Sequence, residues 1–321
     1  MHSFTELSSS FEEQFSQSHF PAQPERLYDA SRYILQIGGK RVRPVSVLMG
    51  NELFSEINPD AYAVANAIEL FHNFSLIHDD IMDKAPLRRG QPTVHIRYGD
   101  STALLAGDVM LVRAYEYISR IKSDSMQSIL SLFNQTAREV CEGQQIDMDF
   151  EQRTSVSLDE YVHMITLKTS VLLAACLRMG AILGGASLHN QGHLYEFGKN
   201  LGIAFQVQDD YLDAFGDPLV FGKQPGGDIL ANKKTFLMIH ALEHADHQQL
   251  QQLEELMAGQ APDKVNRVLD IFRACGSDKW ASSLKEAYYA KAMTHLEDVA
   301  LLSARKAELE KLARFLLQRT S

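Results

Sequence analysis

A chain of 321 residues with 45% apolar content is long enough to bury a large core, which excludes a disordered tail. Its formal net charge of −10 argues against nucleic acid as a main partner, because that binding neutralises phosphates with a basic surface; a small phosphorylated ligand stays open. Cys141, Cys176 and Cys275 match no zinc or disulfide spacing and read as small buried hydrophobes in a reducing compartment.

The opening stretch MHSFTELSSSFEEQF carries acids and no basic-then-apolar signal pattern, so a cytoplasmic protein is expected, with the first 20 or so residues loosely held. Helical periodicity predicts helices over 24–37 and 44–56, joined by GGKRVRP at 38–44. That turn gathers Lys40, Arg41 and Arg43 where backbone N–H groups can also face an anion; taken alone it reads as an exposed basic helix start.

From Pro59 to Asp83 no internal Gly or Pro interrupts apolar residues recurring every three or four positions, which predicts one long helix. Its end reads DDIMD. Asp79 and Asp83 share a helix face with Cβ atoms roughly 5–6 Å apart, while Asp80 points about 100° away. Two like charges so placed weaken a helix unless a cation sits there; a solvated helix end is the plain alternative. His72 falls about 20° from Asp79 on the wheel, and as a lone histidine on an apolar helix it reads as a core residue, as do His78 and His95. PLRRGQP then supplies Arg88 and Arg89.

Further helices are predicted over 97–119, 124–150, 157–183, 190–215, 233–257, 262–275, 277–299 and 303–319, separated by Gly/Pro punctuation. Lys168 and Thr169 stand inside MITLKTSVLLAAC, where a charge in so apolar a run needs a snorkelling route or a partner. LGIAFQVQDDYLDAFGD at 201–217 repeats the DDxxD spacing with Asp209, Asp210 and Asp213. A Gly-rich loop, FGKQPGGDILANKKT, follows with Lys223, Lys233 and Lys234. No run of about 18 apolar residues is read as spanning a bilayer, and no solenoid-sized repeat recurs. The expected architecture is all-α, a large single-domain helical bundle over 1–321.

Two acidic helix faces in one bundle can converge on shared divalent cations. Oxygen-only ligands without His or Cys favour Mg²⁺, with Mn²⁺ as an alternative, over zinc, and Mg²⁺ takes a few carboxylates while substrate phosphate fills other positions. Adjacent guanidiniums suit phosphate oxygens.

GGKRVRP, DDIMD with Arg88 and Arg89, EGQQIDMDF, LKTS, FQVQDDYLD and GKQPGGDI with NKK appear in the order found in trans-isoprenyl diphosphate synthases. Over roughly residues 35 to 235 the sequence resembles this polyprenyl synthetase family. The resemblance implies an isoprenoid synthase-like all-α fold with a central apolar cavity, a homodimer, and three Mg²⁺ ions binding an allylic diphosphate between the two acidic motifs. It implies head-to-tail condensation of that substrate with isopentenyl diphosphate; from the lack of a long apolar run, no stable membrane insertion is expected. Asp79 and Asp83 would hold two metals and Asp209 the third, supported by Asp80, Asp210 and Asp213. Arg88, Lys168, Lys223 and Lys233 would grip the allylic diphosphate, and Lys40, Arg43, His72 and Arg89 the isopentenyl diphosphate. Thr169, Gln206 and carbonyls near Lys168 would face the carbocation, with Gln144 and Asp147 completing the acidic surroundings.

Chain length is assigned by the same resemblance to bulk before the first acidic motif, Phe74 with Phe71 and the small Ser75. The pattern resembles the short-chain farnesyl and geranylgeranyl type, with the C20 product favoured over C15. KLARFLLQRTS, carrying Arg314 and Arg319, reads as an amphipathic last helix rather than the basic tail some relatives place over the isopentenyl site. Rival readings are a terpene cyclase of the same fold, which the second DDxxD and GGKRVRP oppose, an inert subunit of a heteromeric synthase, and a two-metal nuclease, which the net charge opposes.

Overall fold

The computed structural model describes residues 1–216, 226–259 and 261–317, and apart from one short hairpin its regular structure is helical. The first residues depart from expectation. Helix α1 (Phe4–Phe15) starts with a capping box in which the Ser3 side chain accepts from the Glu6 N–H and Glu6 reaches back to the Ser3 N–H. Leu7, Phe11 and Phe15, spaced by four, bury one face, so this segment is a docked helix and not a loose tail.

The chain continues through α2 (Glu25–Gln36) and α3 (Val42–Glu52) into α4 (Pro59–Met82), the predicted long helix. Asn58 caps α4 by accepting from the Asp60 N–H, and Pro59 occupies the first turn, where its missing N–H costs nothing. A two-strand hairpin, β1 (Leu87–Arg88) and β2 (Gln91–Pro92), follows. Its two loop residues, Arg89 and Gly90, both have positive φ (51° and 75°), the pattern of a type I′ turn.

Gly99, at φ 87°, divides the next predicted run into α5 (Val94–Tyr98) and α6 (Asp100–Ile118). Then come α7 (Met126–Gln152), α8 (Leu158–Ile165), a π-helical turn over Thr166–Ser170, α9 (Val171–Leu183) and α10 (Leu188–Phe215). After residues 217–225 the chain forms α11 (Gly227–Leu230), α12 (Phe236–His244), α13 (His247–Ala258), α14 (Lys264–Ala274), α15 (Ser277–Asp298) and α16 (Ser303–Leu317). The single helix expected over 233–257 is two. Ala245 is extended, and Asp246 caps α13 by accepting from the Gln249 N–H while Gln249 returns the bond.

The chain groups into two compact units. The first comprises Met1–Gln135, Ala175–Leu194 and Ala304–Glu308; the second comprises Thr136–Ala174, Tyr195–Ser303 and Leu309–Ser321. Within the first, α3 crosses α9 at near-contact distance: a Cβ on Gly50 would lie 2.4 Å from the Leu177 carbonyl, and one on Gly180 would lie 2.1 Å from that of Val47. Only glycine admits that approach. Within the second, a core of Phe150, Tyr161, Val207, Phe236, Leu253 and Phe272 joins α7, α8, α10, α12, α13 and α14.

Two sequence expectations change here. The run Leu158–Leu183 is long and apolar enough to cross a membrane by length and composition, contrary to the reading of none, yet 67% of its apolar window is buried inside the protein. It is a core helix. Of the cysteines only Cys176 is buried; Cys275 is half-buried and Cys141 exposed.

Candidate active site

The first acidic motif closes α4 within the first unit, and its three aspartates face three environments. Asp80 is buried, Asp79 is half-buried, and Asp83 is exposed just past the last helical residue, its N–H bonded to the Asp79 carbonyl at 2.8 Å. The hairpin folds back over this end because the Thr93 hydroxyl donates to the Ala85 carbonyl (2.8 Å) and the Thr93 N–H to Pro86 (3.1 Å). That return sets the Arg88 fork on Asp80, with Nε and Nη2 each 2.8 Å from a carboxylate oxygen and Nη2 3.6 Å from Asp79. Arg88, expected on a diphosphate, is therefore also the counter-ion of the middle aspartate.

Beside it lies a cationic cluster. Arg41 is buried and paired with Glu12 at 2.6 Å and with Glu69, so this member of the basic turn is structural. Arg43 Nη1 donates to His72 Nε2 at 3.3 Å. Burial, followed by Arg43, Arg89, Arg88 and Arg41, holds His72 well below the usual histidine range. An arginine only donates, so Nε2 accepts and the neutral ring carries its proton on Nδ1. The Arg89 guanidinium lies against Gly39, where a Cβ would be 3.0 Å from its Nη1. Burial and Arg88 together push Arg89 down, with Glu69 opposing. Lys40 is exposed in the same turn.

One turn further back on α4, Phe71 and Phe74 pack at 5.5 Å, Phe74 against His78 at 4.7 Å, and Phe71 edge-on to Phe133 of α7 at 5.3 Å. Ser75 donates to the His72 carbonyl at 2.8 Å. Phe133 and its neighbour Tyr115 (5.2 Å) extend the aromatic wall, and sequence reasoning missed both. His78 bonds the Leu104 carbonyl at 3.2 Å and His95 the Thr93 hydroxyl at 3.1 Å, both structural contacts.

The second motif sits near the end of α10 in the second unit. Asp210 is buried and accepts from the Tyr161 hydroxyl and from Gln206 Nε2 (2.8 Å). Burial, then Asp228 and Asp209, push its carboxyl up to about 8 against those two hydrogen bonds. Tyr161, fully buried, is itself held well above the usual phenol range by burial and Asp210, and so remains a donor. Asp213 receives the Asp228 N–H at 3.0 Å and, on its backbone, the Gly226 N–H at 2.6 Å, which anchors the start of α11 beside the motif. Lys233 reaches Asp228 at 3.5 Å, whereas Lys234 donates to the Phe150 carbonyl at 3.0 Å as a brace. Lys223 lies outside the described residues, as does Arg319.

Lys168 and Thr169 project from the π-turn, and two glycines make room for it. A Cβ on Gly143 would lie 2.3 Å from the Lys168 nitrogen, and one on Gly202 would lie 2.8 Å from Ser170 Cα. A widened turn re-aims side chains that a regular helix would bury. Lys168 Nζ meets Asp147 at 2.5 Å, and Thr169 donates to Gln206 Oε1 at 3.4 Å, so Gln206 links Thr169 to Asp210. Gln144 is buried on α7, its Nε2 without a hydrogen-bond partner among the described residues. Tyr161 and Asp228 are the members that sequence reasoning did not single out.

The donor set suits a hard divalent cation. Within the first unit Asp79 and Asp83 offer carboxylate oxygens, and within the second Asp209, Asp213 and Asp228 do so, where burial first and then Asp228 hold Asp210 up.

The family profile described as polyprenyl synthetase matches residues 24–275. A short chain isoprenyl diphosphate synthase of Methanothermobacter thermautotrophicus is 38% identical over 297 residues, covering 92% of this chain and 91% of that one. A crystal structure of a geranylgeranyl pyrophosphate synthase is 41% identical with a TM-score of 0.94, covering 100% of both chains. A polyprenyl synthase from Caulobacter crescentus CB15, 25% identical with a TM-score of 0.90 over 99% of this chain and 97% of that one, is complexed with calcium and isoprenyl diphosphate.

Proposed function

The chain belongs to the polyprenyl synthetase family and is a trans-prenyltransferase, and from that premise we propose that it condenses isopentenyl diphosphate head-to-tail with an allylic diphosphate to give geranylgeranyl diphosphate. The observation that carries the reading is the crowding of Arg43, Arg88 and Arg89 around a neutral His72, immediately beside an aspartate motif. Such a cluster asks for a multivalent anion.

The aspartates Asp79 and Asp83, with Asp209, would hold Mg²⁺, three ions in all with Mn²⁺ as a substitute, supported by Asp80, Asp210 and Asp213. Divalent ions there, when bound, supply charge neutralisation for the departing diphosphate. Arg88, already aimed by Asp80, and Lys168, Lys223 and Lys233 bind the same allylic group. Lys40, Arg43 and Arg89 bind isopentenyl diphosphate, and His72 adds an N–H donor without adding charge.

Ionisation leaves an allylic cation. Thr169 and Gln206, fixed by their mutual hydrogen bond, and the carbonyls of the π-turn present oxygen dipoles to it, preorganised rather than recruited during the reaction. Apolar helices around these groups exclude water that would quench the cation. The released diphosphate is the base for the final proton loss. Phe74, packed against His78 and against Phe71, which is itself backed by Phe133, stops chain growth at C20.

The protein works as a cytoplasmic homodimer. α6 exposes Leu104, Leu105, Val112 and Tyr115 at 38–57%, an apolar stripe at helical spacing that a second copy covers. The test of function is direct: purified protein, Mg²⁺, isopentenyl diphosphate and dimethylallyl, geranyl or farnesyl diphosphate in turn, with products sized by mass spectrometry. C20 diphosphate is expected. No elongation of any starter, or hydrocarbon from farnesyl diphosphate alone, refutes the assignment.

A further inference from the structure

A cleft of about 610 Å³ opens in the first unit, bordered by α2, the hairpin and α5. Its walls carry Arg32, Gln36, Arg89, Gln91 and Arg97. Asp29 is the one carboxylate on the lining among the described residues, and it pairs with Arg32 at 2.7 Å. Three guanidiniums against one carboxylate leave a formal excess of two positive charges (3 − 1), in a chain whose net charge is −10.

The arginines are held by contacts that leave their charge in place. Arg97 stacks over Tyr33 at 4.3 Å and near Tyr98 at 5.5 Å, and Arg32 also donates to the Pro21 carbonyl at 3.2 Å. Arg89 belongs to two places at once. It lines this cleft, and its guanidinium also lies against Gly39 beside the Arg43–His72 pair. Its unusual φ of 51° fixes the backbone from which it reaches both.

We propose that this cleft is a vestibule for isopentenyl diphosphate, in which the diphosphate lodges between Arg32 and Arg97 before Arg89 passes it to the Gly39–His72 cluster. The inference rests on the assignment of Arg89 to isopentenyl diphosphate made above. A chain of net charge −10 repels a diphosphate over most of its surface, and a concave positive patch concentrates that ligand locally and raises its association rate. Guanidinium forks match phosphate oxygens, and the tyrosine faces limit the conformations that the Arg97 fork must give up on binding.

Gln36 gives the test. It is the exposed last residue of α2, it lines the cleft, and it has no part in the proposed catalytic machinery. Gln36→Glu and Gln36→Lys change the local charge in opposite directions, read by steady-state kinetics with isopentenyl diphosphate varied at saturating allylic diphosphate and Mg²⁺. At low salt the KM for isopentenyl diphosphate should rise about threefold with Glu and fall about threefold with Lys, and both differences should fade at about 0.5 M salt. The kcat and the KM for the allylic substrate should not move. Arg97→Gln should raise the same KM about tenfold, provided that its melting curve shows a folded protein. Condensation that proceeds with KM indifferent to both Gln36 variants overturns the vestibule. So does a shift confined to inhibition by inorganic diphosphate, which would make the cleft a product site. A wild-type chain that condenses nothing would instead remove the underlying activity.

Discussion

The two DDxxD motifs have the same spacing and opposite electrostatics. In the first, the buried middle aspartate, Asp80, is matched by a bidentate arginine on a hairpin eight residues away. In the second, the buried middle aspartate, Asp210, is met by two neutral donors, Tyr161 and Gln206, and burial with Asp228 pushes it up to about 8. A repeated motif is therefore not a repeated site. One end holds its charge in an ion pair that also aims an arginine, and the other gathers carboxylates around a buried one with no arginine bonded to it among the described residues.

The largest effect should come from the aspartates proposed as metal ligands. Asp79→Ala and Asp209→Ala should each lower kcat about 10³-fold or more, since each removes charge stabilisation from the same departing group. Steady-state assays in which only one of the two matters would break the pairing of the motifs. The middle aspartates should separate on stability. Asp80→Asn removes the bidentate carboxylate from half-buried Arg88, leaving it the looser contact with Asp79, and should cost about 2–4 kcal/mol in urea denaturation without metal, whereas Asp210→Asn, which keeps a shape able to accept from Tyr161, should cost about 1 kcal/mol or less. Equal losses would mean that the two environments are equivalent after all.

Phe74→Ala should shift products beyond C20 with kcat changed by less than about tenfold, because it opens space without touching charge. Unchanged product length, read by chromatography, would remove Phe74 as the stop. The smallest effect concerns His72. Its depressed pKa means that the unfolded chain takes up the proton first, so its contribution to stability is present above the ordinary histidine range and is lost as pH falls. His72→Gln should flatten the stability profile between about pH 7 and pH 5. An unaltered slope would place the titration elsewhere.

Local signals made most of the helices legible. The long α4 follows from uninterrupted periodicity, and α1 could have been read from its Ser3–Glu6 capping box, a signal outweighed by its terminal position. The Asp246–Gln249 box likewise marks the break between α12 and α13. Other features were hidden. Arg41 and Arg43 stand two positions apart in one basic turn, yet a left-handed Arg41 (φ 51°) sends its side chain to buried Glu69 while Arg43 meets His72. The hairpin turn uses Arg-Gly where Asn-Gly or Asp-Gly would have announced it. The π-turn leaves the apolar pattern continuous, and only Gly143 and Gly202, distant in sequence, show why it fits. Tyr161 lies 49 residues before its partner Asp210, a pairing that only the fold creates.

The proposed condensation requires both acidic motifs to act on one diphosphate through divalent ions. Crystals soaked with Mn²⁺ and an allylic thiolodiphosphate, which cannot ionise readily, allow the ions to be located by anomalous scattering. Ions on Asp79 and Asp83 and on Asp209 that all share oxygens of a single diphosphate are expected. Ions confined to separate sites with no common ligand, or a diphosphate bound away from both motifs, would contradict it.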